Sequence, residues 1–321
     1  MRRAGEEGVA LLTVLLLVAV MATLAVALLD DIRFSLRRTA NAEAVGQARW
    51  YAIGAETLAK AQIARLSAAG GGRTTLQGGW HGRVLRFPIE GGTIQARVTD
   101  GAACFNLNSV VQGAGEVLER RDAGVRQFIA LTQALGAPDG ERLAAALVDW
   151  IDTDVLRESG GAEDEAYVDG GWLTAATLLA EPSELRAVRG FEPAIYERLR
   201  PYVCALPTAE LSPINVNTLP PEKAVLLTML TEGRLPLAGA RRIIEGRPPF
   251  GWASPSEFWN EPALQDAAPS DEAVGQVEVR TRFFELETEV AYLDAEVTAS
   301  ALLEDQGGRV RLVSRRWGPE E

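Results

Sequence analysis

The chain is poor in the side chains that build most catalytic and zinc centres. It has one histidine, His81, and two cysteines, Cys104 and Cys204. A thiolate/imidazole zinc site wants three or four such ligands close together, which this set cannot easily supply. No Gly-x-Ser-x-Gly, His-Glu-x-x-His or Cys/His constellation occurs, so the common hydrolase signatures are missing as well. Positive charge is also in deficit: 32 Lys and Arg stand against 44 Asp and Glu, a formal net charge of −12. Such a surface repels phosphate backbones, and no nucleic acid is expected as a partner. Clustered carboxylates do suit hard cations such as calcium. The remaining composition is that of a globular protein, and 321 residues suffice for two modest domains and an anchor.

Charge is absent altogether from residues 9–29, a run long enough to cross a hydrocarbon core as a helix. A cleaved secretory signal is the alternative, since Ala25-Val26-Ala27 has the form of a cleavage site and Arg2 and Arg3 give a short basic start. Glu6 and Glu7, just before the run, speak against it. No proline follows between Asp30 and Leu66, and Ile32, Leu36, Val45, Trp50, Ile53, Leu58 and Ile63 recur near helical spacing. One long helix, apolar first and amphipathic later, accounts for both parts. Gly70-Gly71-Gly72 ends it.

Beyond the glycines, residues 80–89 and 93–99 read as a hairpin around Glu90-Gly91-Gly92. Helices over 125–135, 141–151, 182–188 and 193–202 follow, separated by Pro/Gly turns. Strands return at 276–288, 290–303 and 309–316. The expected fold is therefore α+β: a sheet domain from 70–107 and 274–317, an all-α insertion at 108–273, and a tail at 318–321. Cys104 and Cys204 are either two inert buried thiols or one disulfide, and the export segment favours the disulfide. It would staple the insertion to the sheet and contribute ~4–5 kcal/mol by chain entropy.

The richest local signal is acidic, LVDWIDTDVLRESGGAEDEAYVDGG at residues 147–171. Asp149 and Asp152 are three apart on one helical face, and Asp154 follows as that helix ends. Ser159-Gly160-Gly161 lets the chain turn back and present Glu163, Asp164 and Glu165. Calcium takes six to eight oxygens, and carboxylates so crowded repel one another without a cation. A solvated acidic loop is the other reading, and the spacing is not that of an EF-hand.

Residues 182–203 and 214–259 resemble helix-hairpin-helix modules. In DNA-binding forms a Gly-rich hairpin offers N–H groups to a phosphate. Here Glu192 replaces the second glycine of the first copy and sets an anion there, while the second hairpin reads Glu232-Gly233-Arg234-Leu235-Pro236. Protein packing is the expected use.

The polar leader ending in Gly8 resembles that of a type IV pilin-like precursor. The resemblance widens through RRTAN (37–41), WYAIGAE (50–56), CFNLNS (104–109), LVDWID (147–152), GAED (161–164), SELRAVRG (183–190), LRPYVCALP (199–207) and INVNT (214–218). Together these resemble the K-type minor pseudopilins of the bacterial type II secretion system (general secretion pathway protein K). The resemblance implies a pilin-like fold, with a long N-terminal helix, an antiparallel sheet and a large α insertion that carries calcium. Ligation carries over best to Asp152, Asp154, Glu163 and Asp164, and less well to Asp149 and Glu165. A Cys104–Cys204 disulfide is also implied.

It further implies cleavage by prepilin peptidase between Gly8 and Val9. The retained helix would anchor in the inner membrane, with a cytoplasmic N-terminus and periplasmic head, before becoming the stem of a fibre. Partners would be I- and J-type minor pseudopilins at the pseudopilus tip, other pseudopilus subunits and exoprotein substrates. Thr13 stands at mature position five, where most such subunits carry glutamate. No enzymatic activity is implied. Two rivals come from other classes. One is a secreted calcium-dependent hydrolase cut after Ala27, and the other a membrane-anchored DNA-uptake protein built on the hairpin modules.

Overall fold

A computed structural model describes residues 6–114 and 117–318. Most of the leader (1–5) and the last three residues lie outside the described residues.

Helix α1, Glu6–Ala69, runs 64 residues, about 96 Å at ~1.5 Å per residue. Its first half is apolar enough to cross a membrane, and none of that stretch is buried by the rest of the chain. The second half buries one narrow stripe: Ala44, Ala48, Ala52, Ala55, Ala59 and Ile63. The spacing of three and four keeps them on one face, and the alanines let the helix lie close to the sheet. Its partners there are Ile94, Val290 and Val297 along one stretch and Phe284, Leu286 and Leu303 along the next. Glu56 is buried in that interface, paired with Lys60 at 2.6 Å and with Arg315 of the last strand at 2.7 Å. The Gly70 N–H bonds Leu66 O, and left-handed Gly71 and Gly72 turn the chain away.

The sheet has strands β1 (Val84–Ile89), β2 (Gly92–Asp100), β3 (Phe283–Tyr292), β4 (Ala295–Gln306) and β5 (Arg309–Trp317). All neighbours are antiparallel and lie in that order. Residues 101–282 are thus inserted in what would otherwise be a β2–β3 hairpin. The sequence pattern put a strand break at Glu289; instead β3 continues to Tyr292, and the turn falls at Leu293, whose φ is +50°. Glu289 is the polar side of a strict alternation between buried Thr288 and Val290, not a breaker.

The insertion holds α2 (Asp122–Ala134), α3 (Gly140–Ile151), α4 (Pro193–Leu199), α5 (Val225–Leu230) and α6 (Leu237–Glu245) around Phe105, Phe128, Leu147, Ile151 and Leu226. Short strands accompany them. Phe105–Asn106 pairs in parallel with Val203–Cys204, Ile214–Asn215 with Val277–Glu278, and Val111–Ala114 forms a hairpin with Val117–Arg120. Of the residues read from sequence as the start of the long strand, Gln276 ends a short helix, Asp271–Gln276, and 277–278 belong to the second of these pairs.

The two parallel pairs bound two similar units. Each opens on Asn-x-Asn, Asn106/Asn108 and Asn215/Asn217, passes through two helices to Pro-Ser-Glu at 182–184 and 255–257, and returns by a short strand. The asparagines are fully buried and act as brackets. Asn106 Nδ2 donates to Thr208 O at 2.8 Å and Glu210 O at 3.0 Å, and its Oδ1 accepts from Leu206 N at 3.0 Å. Asn217 does the same for Trp252, donating to its carbonyl at 3.0 Å and accepting from its N–H at 2.8 Å. Between the second helix and Pro-Ser-Glu the second unit has only residues 246–254, whereas the first has 152–181. The acidic stretch is that extra loop.

Where the insertion leaves and rejoins the sheet, buried Asp100 accepts from Thr218 Oγ1 at 2.5 Å and Thr281 Oγ1 at 2.7 Å. Cys104 and Cys204 are disulfide-bonded with Cα atoms 5.7 Å apart, closing 100 residues at the same junction.

Candidate metal centre

Helix α3 buries Leu143, Leu147 and Ile151 toward the core, which points its last turn at the extra loop. It stops at Asp152, whose backbone turns extended (ψ 171°) while its N–H still bonds Val148 O at 2.8 Å. Two residues on, Asp154 accepts from the Leu156 N–H at 2.7 Å, a side-chain turn that bends the loop outward. The chain reverses at Gly160, φ +87°, and returns with Glu163 extended ahead of a short 3-10 turn, Asp164–Ala166. The returning arm is fastened to α3 by aromatic packing. Tyr167 meets Trp150 edge-on at 5.1 Å and accepts from the Arg189 N–H at 3.1 Å.

These turns bring Asp152, Asp154 and Glu163 together, with one carboxylate oxygen from each lying within 4.8 Å of the others. Asp152 and Glu163 are buried and Asp154 is exposed. Asp152 Oδ1 and Glu163 Oε1 are buried with no hydrogen-bond partner among the described residues. Leaving such groups unmatched is costly. Burial, then the charges of Asp154, Glu163 and Asp149, pushes the Asp152 carboxyl up to about 7 in the metal-free protein. Burial and the neighbouring carboxylates raise Glu163 as well. Orphaned oxygens, mutual repulsion, an all-oxygen donor set and one open side fit a hard cation of calcium's type.

The other three acidic residues lie outside this triplet. Asp149 Oδ1 accepts from the Glu158 N–H at 3.0 Å and so braces the loop, while its Oδ2 is buried without a partner among the described residues. Asp164 gives its Oδ1 to Thr174, accepting from N at 2.9 Å and Oγ1 at 2.8 Å, and these bonds hold its carboxyl below the usual range. Glu165 is exposed. Thr174 and Glu158 were invisible as site residues from sequence: Glu158 acts through a backbone N–H, and Thr174 reaches Asp164 with both its N–H and its hydroxyl from ten residues away. At the other end of the molecule, Gly8 and Val9 lie in the first turns of α1, with Val9 61 % exposed.

The two units of the insertion have separate counterparts among known families. The description "Type II secretion system (T2SS), protein K" fits the family models that match residues 103–208 and residues 214–280. Similarity also extends along the whole chain. Type II secretion system protein K of Klebsiella pneumoniae is 37 % identical over 98 % of this chain and 97 % of its own length. The protein of the same name from Aeromonas hydrophila is 38 % identical over 87 % of each chain.

The chain belongs to the type II secretion system protein K family.

The fold agrees. A chain in the crystal structure of the GspK–GspI–GspJ complex from the enterotoxigenic Escherichia coli type 2 secretion system superposes with a TM-score of 0.77. That chain is 29 % identical, and the match covers 88 % of this chain and 100 % of that one. The protein K family comprises minor pseudopilins, and its plan of stem helix, antiparallel sheet and helical head is the one described above. The boundary between the two family models falls at residues 209–213, between the two repeated units, and all six acidic candidates lie in the first.

Proposed function

We propose that this minor pseudopilin caps the tip of a periplasmic pseudopilus, assembled with I- and J-type minor pseudopilins, and that its role is structural rather than catalytic. Prepilin peptidase cuts between Gly8 and Val9. The apolar half of α1 then holds the subunit in the inner membrane, N-terminus cytoplasmic and head periplasmic, until it enters the fibre as a stem. The observation that carries this reading is the distribution of mass along α1. An uncovered apolar half is followed by a sheet that bears the large residue 101–282 insertion, so a bulky head sits at one end of a thin stem. Such a head obstructs addition of a further subunit above it. Thr13 agrees with an end position, because its Oγ1 donates to Ala10 O at 2.9 Å and is satisfied within its own helix. It needs no amine from a neighbour.

Calcium belongs to the same reading. Asp152, Asp154 and Glu163 would hold it, with Asp149 bracing the loop and Asp164 close behind. The ion would neutralise the triplet and tie the two arms of the loop together. N-terminal sequencing of membrane-extracted protein, with copurification of the I- and J-type subunits, tests the assembly reading. A mature start at Val9 and recovery of both partners are expected; a start at Leu28 refutes it.

A further inference from the structure

Beside the acidic loop, and lined by its Arg157, Gly160 and Gly161, lies a groove of about 340 Å³. Three guanidinium-bearing residues line it from three different segments: Arg142 on the first turn of α3, Arg157 on the loop, and Arg189 beside the hairpin glycine Gly190. These segments touch. The Arg142 Cγ lies 3.3 Å from where a Cβ on Gly160 would stand, and Leu143 Cδ2 lies 3.2 Å from the same point on Gly190. Among the described residues none of the three arginines forms an ion pair, whereas Arg282, Arg311 and Arg315 on the sheet all do. Asp139 is the one carboxylate among the lining residues, and Leu143, Ala146 and Ile195 supply an apolar floor. Three arginines against one carboxylate give the groove a positive lining on a chain of net charge −12.

We propose that this groove docks an acidic segment of another protein, and that the cation fixes one of its walls. Guanidinium groups present a planar fork that matches carboxylates in pairs. The apolar floor suits the aliphatic stems of such side chains, and the volume exceeds what one phosphate fills. A nucleic-acid backbone fits less well, since Glu192 stands two residues beyond Gly190 and the whole chain is acidic. Arg157, Gly160 and Gly161 lie between Asp154 and Glu163 in sequence. An ion that draws those two carboxylates together therefore sets where Arg157 stands. This coupling rests on the calcium reading above; the groove itself does not.

The test is fluorescence anisotropy of labelled hexaglutamate with the purified full-length protein in detergent at physiological salt. Calcium, magnesium and chelator form three arms, and the calcium-induced melting shift is recorded in parallel. Binding is expected with calcium, about tenfold weaker with chelator or magnesium, and about tenfold weaker still in R142E/R189E. R142Q/R189Q, which removes charge at similar size, should fall between, with melting curves showing that both variants fold. Hexaglutamine should not bind. Unchanged affinity in the charge-reversed variant, or displacement by inorganic phosphate at the peptide's own concentration, overturns the docking site. A calcium melting shift with no change in peptide affinity overturns the coupling. Absence of that melting shift refutes the calcium reading instead, and leaves the groove to be judged by the arginine variants.

Discussion

Asp149 and Gly161 are in contact so close that only glycine fits: Asp149 Oδ2 lies 2.1 Å from where a Cβ on residue 161 would be. Asp149 is itself fixed by the Glu158 N–H, so the end of α3 and the floor of the acidic loop form one rigid piece. Gly161→Ala must push aside the Asp149 carboxylate, which the Glu158 N–H holds, and it also crowds Ala145 O, 3.1 Å from the same point. We expect it to cost about 1–3 kcal/mol, typical of overpacking. It should also reduce the calcium-induced melting shift. A thermal melt of the variant with and without calcium checks both effects.

The acidic triplet makes metal-free stability depend on pH in a definite direction. The folded-state carboxyls of Asp152, Glu163 and Asp149 are raised above their unfolded values. The metal-free fold therefore binds protons more tightly than the unfolded chain and loses stability as pH rises from about 4 toward 7. Bound calcium acts the opposite way by favouring the ionised carboxylates. The gap in melting temperature between calcium and chelator should widen steadily from pH 5 to pH 8. In D152N/E163Q the gap should close, and the chelated protein should be at least as stable as wild type at pH 8, since two repelling charges are gone.

Much of this was legible in the sequence, and the parts that were not share a cause. The uncharged run, the glycine stop after Ala69 and the alternating strands are periodic signals carried by local side-chain pattern. The acidic loop was visible because carboxylates cluster in sequence as well as in space. The choice of Asp152, Asp154 and Glu163 over Asp149 and Asp164 was not visible. It depends on where α3 stops and on Thr174, ten residues beyond Asp164, which occupies that carboxylate. The extent of the repeated units was not visible for a similar reason: the modules read at 182–203 and 214–259 do not coincide with the units, which open at Asn106 and Asn215. Their matching features are two short parallel strand pairs and the buried asparagine brackets, set by contacts about a hundred residues apart in the first unit and 35 to 63 apart in the second.

Those brackets should be expensive to remove. Asn106→Ala leaves the buried N–H groups of Asn108 and Leu206 without their acceptor, and the part-buried carbonyls of Thr208 and Glu210 without their donor. At roughly 1 kcal/mol or more for each of the two buried N–H groups, a loss of about 2 kcal/mol or more is expected from urea unfolding. The neighbouring disulfide acts on the unfolded chain instead. C104S/C204S removes the closure of a 100-residue loop and should cost ~4–5 kcal/mol by chain entropy. The Asn106 effect should persist under reducing conditions, whereas the disulfide effect should vanish there.

Thr13 gives the sharpest test of an end position. Its hydroxyl bonds Ala10 O within the same helix, the usual way a threonine hides its polarity in an apolar span. Thr13→Val removes only that local bond, and we expect mature protein starting at Val9 and secretion in a complementation assay at the wild-type level. Thr13→Glu introduces a carboxylate into the uncharged span. That costs up to about 3 kcal/mol at a membrane centre and less toward its edge, unless a cation stands beside it. Inside a fibre, a subunit's neighbour could offer its N-terminal amine and offset the cost; at the tip none is available from above. Thr13→Glu should therefore lower recovery of the subunit with its I- and J-type partners while Thr13→Val does not. Equal recovery of the two variants would mean that a neighbour's amine does reach residue 13, and that the subunit does not end the fibre.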